Sequence, residues 1–169
     1  MKNSPSWFDE EIRPLLQRHH SGDAHENGYF VYHLDALKAH LQYLQQQDVV
    51  KLWFAVKANP LSRVIRTFAD AGFNFDVASS GELAQVLSQG VEPGQVLNTG
   101  PAKSKKQLAA FLAQGVNTFV VESLNQLGWL QQAADEQGVC PRVLLRVQLL
   151  WPDGEKNPLG GNELTPFGL

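Results

Sequence analysis

The chain has 169 residues, of which 43% are hydrophobic and 18% charged, and its net charge is -3. This composition is typical of a globular protein with a hydrophobic core. It gives no reason to expect binding to nucleic acid or to an anionic membrane.

The sequence contains no segment that is typical of a membrane span or of a secretory signal. No apolar run approaches the ~20 residues of a membrane span, and the first residues lack the apolar stretch of a secretory signal. The single cysteine excludes an internal disulfide, so we expect a cytoplasmic protein. The densest basic spot, at Lys103, Lys105 and Lys106, is expected to be a solvated helix start.

Residues 1–28 are predicted to form an N-terminal helix and a loop that precede the main domain. The amphipathic pattern of residues 7–18 indicates the helix. Three histidines, His19, His20 and His25, lie in or beside the polar stretch that follows. Because the stretch has no cysteine, a flexible loop explains them better than a metal site does, and we predict no metal.

From residue 29 onward, apolar segments rich in β-branched and aromatic residues alternate with helical patterns. Six such segments are predicted strands: residues 31–34, 52–56, 73–77, 96–98, 118–121 and 143–147. Predicted helices begin at the N-caps Ser79, Ser104 and Ser123 and end at Gly72, Gly90, Gly115 and Gly138. This alternation indicates repeated βα units and a parallel sheet. Its regularity favours a (β/α) barrel over an open doubly wound sheet, although the pattern alone leaves both possible.

The segment LWFAVKANP, residues 52–60, brings a lysine to the end of an apolar strand, where an Asn-Pro turn stops the strand. Burial disfavours the ammonium form, so a lysine that points into an apolar site has a lowered pKa and a nucleophilic amine. Such an amine can form an imine with a carbonyl group. Lys57 is therefore a candidate catalytic residue, although a lone lysine here could also be a surface residue that caps an edge strand.

Alternation along the predicted strands places four polar side chains together. Residues two apart share one face of a strand, and parallel strands end at one edge of the sheet. On this pattern Lys57, Asp76, Asn98 and Arg146 lie at C-terminal strand ends on the inner face. Alternate apolar residues lie on the outer face, under the helices: Phe54, Phe75, Val77, Val143 and Leu145. Catalytic residues of a (β/α) barrel collect at that rim, so the convergence indicates a functional site.

Ordered motifs run through the same strands: FAVKANP at 54–60, FDVASSGEL at 75–83, NTGPAKS at 98–104, LLRV at 144–147 and PFGL at 166–169. Together they resemble the motifs of fold-type III decarboxylases that depend on pyridoxal 5′-phosphate (PLP). That group includes the diaminopimelate, ornithine and biosynthetic arginine decarboxylases. The resemblance spans residues 29–169 and implies the N-terminal part of an alanine racemase-like PLP-binding (β/α)8 TIM-type barrel.

The resemblance also implies roles for five residues. Lys57 would hold PLP as an internal aldimine, which the amine of an amino-acid substrate displaces before CO2 is lost. Asp76 and Glu82 match acidic positions near that lysine, and Arg146 matches an arginine near the cofactor ring. Ala55, one step below Lys57 on the inner face, is small enough to leave room for the ring.

Each of these residues also has a purely structural interpretation. Glu82 could close a helix capping box with Ser79. Asp76 and Arg146 could form a buried structural ion pair inside the barrel. Asn98 could end its strand by a hydrogen bond to the following turn.

The resemblance further implies that the chain is the N-terminal part of a longer protein. About six of the eight βα units of such a barrel can be counted here, and a complete barrel typically needs about 250 residues. The family's ring-stacking histidine, glycine-rich phosphate-binding segment and C-terminal β-domain find no match in these residues. We expect the full-length protein to be a homodimer, because that β-domain completes the partner's active site, and the fragment alone to be inactive.

Two segments bear on the identity of the substrate. Residues 159–168 and the GPAK segment at 100–103 look more like the siderophore- and antibiotic-biosynthesis branch than the lysine-pathway branch. That branch decarboxylates amino-acid units, some already joined to a larger carrier. A fold-type III racemase, a PLP-carrier protein or a regulatory relative without the cofactor remain alternatives, and the retained Lys57 argues against the last of these.

Overall fold

The computed structural model describes residue 6 and residues 8–19, 30–47, 49–148 and 168–169. They form two compact units, divided after Ala36. In the first unit a π-helical turn, Phe8–Ile12, is followed by helix α1, Arg13–His19. A helix is therefore present in the region predicted from the amphipathic pattern, whereas His20 and His25 lie outside the described residues. No helix in the described part of the chain is long and apolar enough to cross a membrane.

The strand predicted over residues 31–34 is wrong. Residues 30–33 have no regular structure, and helix α2, Leu34–Gln45, begins at the last residue of the predicted strand. The Nδ1 atom of His33 accepts a hydrogen bond from the backbone N–H of Ala36 at 2.9 Å. A side chain that accepts from the first turn in this way favours helix initiation, and here it outweighs the β propensity of the preceding apolar residues.

The second unit contains a parallel sheet of five strands in the order β1-β2-β3-β4-β5. The strands are β1 Trp53–Ala55, β2 Asn74–Val77, β3 Val96–Asn98, β4 Thr118–Val121 and β5 Arg142–Leu145. The connecting helices are α3 Ser62–Asp70, α4 Ser80–Leu87, α5 Lys105–Ala113 and α6 Leu124–Gln137. Sequential parallel pairing with a helix in each crossover is the arrangement of consecutive βα units in a barrel.

The predicted N-caps are confirmed, and they set where each helix begins. Ser79, Ser104 and Ser123 each accept a hydrogen bond from the backbone N–H three residues later, at 3.2 Å. At the other end of α6, Gly138 has φ 65°, a left-handed conformation that favours glycine. These boundaries fix where each strand ends and therefore which residues meet at the C-terminal edge of the sheet.

The helix-facing side of the sheet holds the hydrophobic core. Phe75 of β2 is fully buried, and its register neighbours are Phe54 on β1 and Val96 on β3. The helices cover this side with buried side chains that include Ile65, Leu83, Leu108 and Leu130. The predicted outward direction of Phe54, Phe75 and Val77 is therefore confirmed.

The edge strand β5 differs from the other four. All its residues are exposed, including Val143 and Leu145, which the alternation assigns to the helix-facing side. Val143 is paired in register with Phe119, so its direction agrees with the prediction. Among the described residues no helix packs over this strand, which explains why the same direction does not produce burial.

Candidate functional site

The C-terminal edge of the sheet brings together one charged residue from each strand or the loop that follows it. They are Lys57 after β1, Asp76 in β2, Lys103 after β3, Glu122 after β4 and Arg146 after β5. Their charges alternate in sign along the sheet. Opposite charges on neighbouring strands attract each other, so this order reduces repulsion along the edge of the sheet.

Lys57 lies in a single 3-10 turn, Val56–Ala58, immediately after β1. The backbone N–H of Asn59 donates to the Val56 carbonyl at 3.0 Å and closes the turn. Val56 is fully buried in the core, whereas the Lys57 side chain is exposed. The expectation that Lys57 points into an apolar, buried site is therefore wrong for the described residues, which leave the inner face of the sheet open.

Asp76 is half-buried on the open face of β2, as predicted. Its Oδ1 atom accepts a hydrogen bond from the hydroxyl of Thr99, which follows β3. The backbone N–H of Thr99 in turn donates to the Val77 carbonyl at 2.9 Å, which extends the ladder between β2 and β3. The Thr99 hydroxyl therefore fixes the orientation of the Asp76 carboxylate.

Arg146 follows β5 and pairs with a carboxylate that the sequence analysis did not single out. Its Nη1 atom lies 3.3 Å from Oε2 and 3.4 Å from Oε1 of Glu122. The Glu122 side chain is 1% exposed and the Arg146 side chain 41% exposed. The predicted alternative of an Asp76–Arg146 ion pair is wrong, because Arg146 pairs with Glu122 and Asp76 is held by Thr99.

Lys103 is the largest departure from the sequence analysis. It is buried rather than solvated, and its Nζ atom donates to the Val120 carbonyl at 2.7 Å and to the Gly100 carbonyl. Burial lowers the pKa of Lys103 from 10.5 to about 8; Glu122 and Asp76 raise it, and Arg146 lowers it. The contact with Val120 places the Lys103 ammonium near the end of β4, two residues before Glu122.

Asn98 does not belong to this set, and its predicted inward direction is wrong. The register pairs Asn98 with Val77, which faces the helices, whereas Leu97 is paired with Asp76 on the open face. Asn98 is fully buried, and its Nδ2 atom donates to the Val77 carbonyl at 3.2 Å. Its Oδ1 atom is buried without a hydrogen-bond partner among the described residues. The prediction failed because it placed the polar Asn98 on the open side, whereas in β3 it is the preceding residue, Leu97, that lies on that side.

Glu82 and Ala55 have simpler surroundings. The Oε2 atom of Glu82 accepts a hydrogen bond from the backbone N–H of Ala78 at 2.6 Å, directly before α4. The Ser79 hydroxyl accepts from the backbone N–H of Glu82, but the Glu82 carboxylate binds the N–H of Ala78 instead of that of Ser79, so the predicted capping box is only half formed. Ala55 is half-buried on β1 and is paired with Asp76 in register.

A family model decides what kind of domain this is. Residues 34–169 match the model described as "Pyridoxal-dependent decarboxylase, pyridoxal binding domain". The chain belongs to the pyridoxal-dependent decarboxylases. The resemblance seen in the strand-end motifs is thereby confirmed, and the fold-type III barrel is the architecture to which the five-stranded parallel sheet belongs.

Individual relatives agree with the family. Diaminopimelate decarboxylase of Pseudomonas aeruginosa is 43% identical over 94 residues, which are 56% of this chain and 23% of the relative. The 2-[(L-alanin-3-ylcarbamoyl)methyl]-2-hydroxybutanedioate decarboxylase of Staphylococcus aureus is 27% identical over 94% of this chain and 40% of its own length. The structure of lysine/ornithine decarboxylase from Vibrio vulnificus, complexed with putrescine, has a TM-score of 0.69 and 29% identity over 82% of this chain and 36% of that one. This chain thus spans less than half of each relative.

Sequence reasoning missed Lys103, Glu122 and Thr99, each for an identifiable reason. Lys103 has two further lysines just after it, at 105 and 106, so it reads as part of a solvated group. Glu122 is the first residue after an apolar strand, two positions beyond Val120 on the open face, and alternation could have identified it. Thr99 similarly follows Leu97, and the same alternation places it beside Asp76.

Proposed function

We propose that this chain supplies part of the active site of a PLP-dependent decarboxylase that acts on an amino acid or an amino-acid conjugate. Lys57 is the catalytic amine in this proposal. The observation that carries it is the exposed Lys57 directly after β1, on the strand next to the one that carries Asp76, within a chain whose residues 34–169 match a pyridoxal-binding domain.

The described residues suit the reactive part of the cofactor. An aldehyde needs an accessible amine, and the Lys57 side chain is exposed. Ala55, which precedes Lys57 by two residues, presents only a methyl group to a flat ring. The half-exposed Arg146 guanidinium adds a planar cation at the same edge, which suits an anionic aromatic ligand.

Each side chain then has a limited task. Lys57 would hold the cofactor through its amine, which is the group that suits an aldehyde. Asp76, held by Thr99, and Arg146, held by Glu122, would bind and orient the ligand with side chains whose own positions are fixed by these contacts. The chemistry supplied by bound PLP is that of an electron sink for the carbanion left by loss of CO2.

The substrate class is proposed from the relatives and from the sequence. The Staphylococcus aureus relative, which matches 94% of the chain, is named for an alanine unit joined by an amide to a hydroxybutanedioate. The Pseudomonas aeruginosa relative is named for diaminopimelate and matches a shorter part at higher identity. We therefore propose an amino-acid conjugate of the siderophore-biosynthesis type as the first substrate to test, with diaminopimelate as the second. A homodimer in the cytoplasm is the assembly and location we propose for the complete protein.

The test is release of CO2 by the protein expressed from its complete reading frame. The panel should contain diaminopimelate, lysine, ornithine, arginine and an amide conjugate of an amino acid with a hydroxylated dicarboxylate. Lys57→Ala is expected to lower turnover by about a thousandfold or more, since the covalent route is lost. Lys106→Ala, an exposed lysine on α5, is the matched control and should keep wild-type turnover. Normal turnover by Lys57→Ala would contradict the proposal.

A further inference from the structure

Lys103 is a buried lysine that joins two elements of the site. It lies in the loop between β3 and α5, and its Nζ atom reaches the Val120 carbonyl on β4 at 2.7 Å as well as Gly100 within its own loop. Burying a lysine is unfavourable unless its charge is compensated. The contact therefore needs a reason beyond the attachment of a loop to a strand.

The same attachment is already made nearby by a neutral side chain. Gln126, also buried, donates from Nε2 to the Pro101 carbonyl at 2.7 Å, and its Oε1 atom accepts from the backbone N–H of Glu122 at 2.9 Å. It thus joins the β3–α5 loop to the segment after β4 without any charge. The positive charge of Lys103 is what Gln126 does not provide.

The charge of Lys103 acts on the carboxylates around it. The charged groups that face it within the described residues are Asp76 on β2, Glu122 after β4 and Arg146 after β5. Glu122 is buried and already contacts Arg146. Without the Lys103 charge, the negative potential of Glu122 would offset more of the positive potential of Arg146. The edge would then attract an anion less strongly.

We propose that Lys103 is a positioning residue for a phosphopyridoxyl-type anion: its ammonium balances the Glu122 carboxylate, so that Arg146 keeps its positive field toward the ligand. The inference rests on the proposed function because it concerns the same ligand at the same sheet edge. It assigns to Lys103 an electrostatic role, whereas a purely structural role would depend only on its hydrogen bonds.

The test measures the affinity of pyridoxine 5′-phosphate, which has no aldehyde and so forms no bond with Lys57. Titration calorimetry from pH 7 to pH 9.5 compares wild type, Lys103→Met and the exposed control Lys106→Met, each from the complete reading frame. A unit charge about 10 Å away at an effective dielectric of about 20 changes affinity about tenfold. We expect Lys103→Met to bind about tenfold more weakly than wild type at pH 7 and Lys106→Met to match wild type.

The pH profile separates charge from structure. Because the pKa of Lys103 lies at about 8, the advantage of wild type over Lys103→Met should shrink as pH rises through that value. The ligand's own ionisations are common to all variants and cancel in this comparison. An equal loss of affinity at every pH would show that Lys103 is only a structural support and would overturn the inference.

Glu122→Gln keeps the inference testable if Lys103→Met does not fold. The Glu122 carboxylate raises the pKa of Lys103, so its removal should move the pH midpoint of binding below that of wild type. An unchanged midpoint overturns the inference. If wild type gains no borohydride-stable PLP label on Lys57, both the proposed function and the inference are contradicted. If wild type is labelled on Lys57 but Lys103→Met binds pyridoxine 5′-phosphate as tightly as wild type does, only the inference is contradicted.

Discussion

The two faces of the parallel sheet differ in how far the sequence predicts the surroundings of their residues. On the helix-facing side, Phe75 and Val77 are buried among apolar side chains, and alternation in the sequence was enough to assign them. On the open face, Asp76 sits between Phe75 and Val77 in the same strand, yet its surroundings depend on a hydroxyl from the next crossover. The difference shows that a period of two predicts the side on which a residue lies, whereas the partners of polar residues come from loops.

The largest expected effect is on the free energy of unfolding, when each of two adjacent residues of β2 is substituted in turn. Phe75→Ala removes a fully buried ring and should lower the free energy of unfolding by about 3–5 kcal/mol. Asp76→Asn keeps an acceptor for the Thr99 hydroxyl and should cost about 1 kcal/mol or less, although it should impair cofactor binding. Urea denaturation without cofactor measures both. Equal destabilisation by the two variants would contradict the claim that the helix-facing side of the sheet provides stability and the open face provides the site.

A smaller effect should appear in the pH dependence of stability. The pKa of Lys103 is about 8 in the folded state and near 10.5 when the side chain is free. Between these values the unfolded chain binds more protons, so the contribution of Lys103 to stability increases as pH rises from 8 to 10.5. The free energy of unfolding of wild type should therefore rise relative to Lys103→Met across this window. A constant difference between the two proteins would show that Lys103 titrates normally when folded.

The parts of the molecule that were predictable share a local cause. Strands β1 to β4, their helix-facing residues and the serine N-caps follow from periodicity and from side chains within three residues. The strand predicted at residues 31–34 failed for a reason that is also local: the His33 side chain accepts a hydrogen bond in the first turn of α2 and so initiates that helix. Local patterns decide such elements, and they fail where one capping side chain outweighs β propensity.

The candidate site was predictable only in part. Motif order identified Lys57 and Asp76, but the ion pair of Glu122 with Arg146 joins residues 24 positions apart. The burial of Lys103 depends on the Val120 carbonyl, 17 positions away. No periodicity in the sequence specifies such distances, because they follow from the twist and register of the assembled sheet.

The most direct test of the central claim is the location of the covalent cofactor. The protein from its complete reading frame is incubated with PLP, reduced with borohydride, digested and analysed by mass spectrometry. The account predicts a phosphopyridoxyl label on Lys57 and its loss in Lys57→Ala, with the exposed lysines of α5 unlabelled. A label found on Lys103 or another lysine instead of Lys57 would contradict the account.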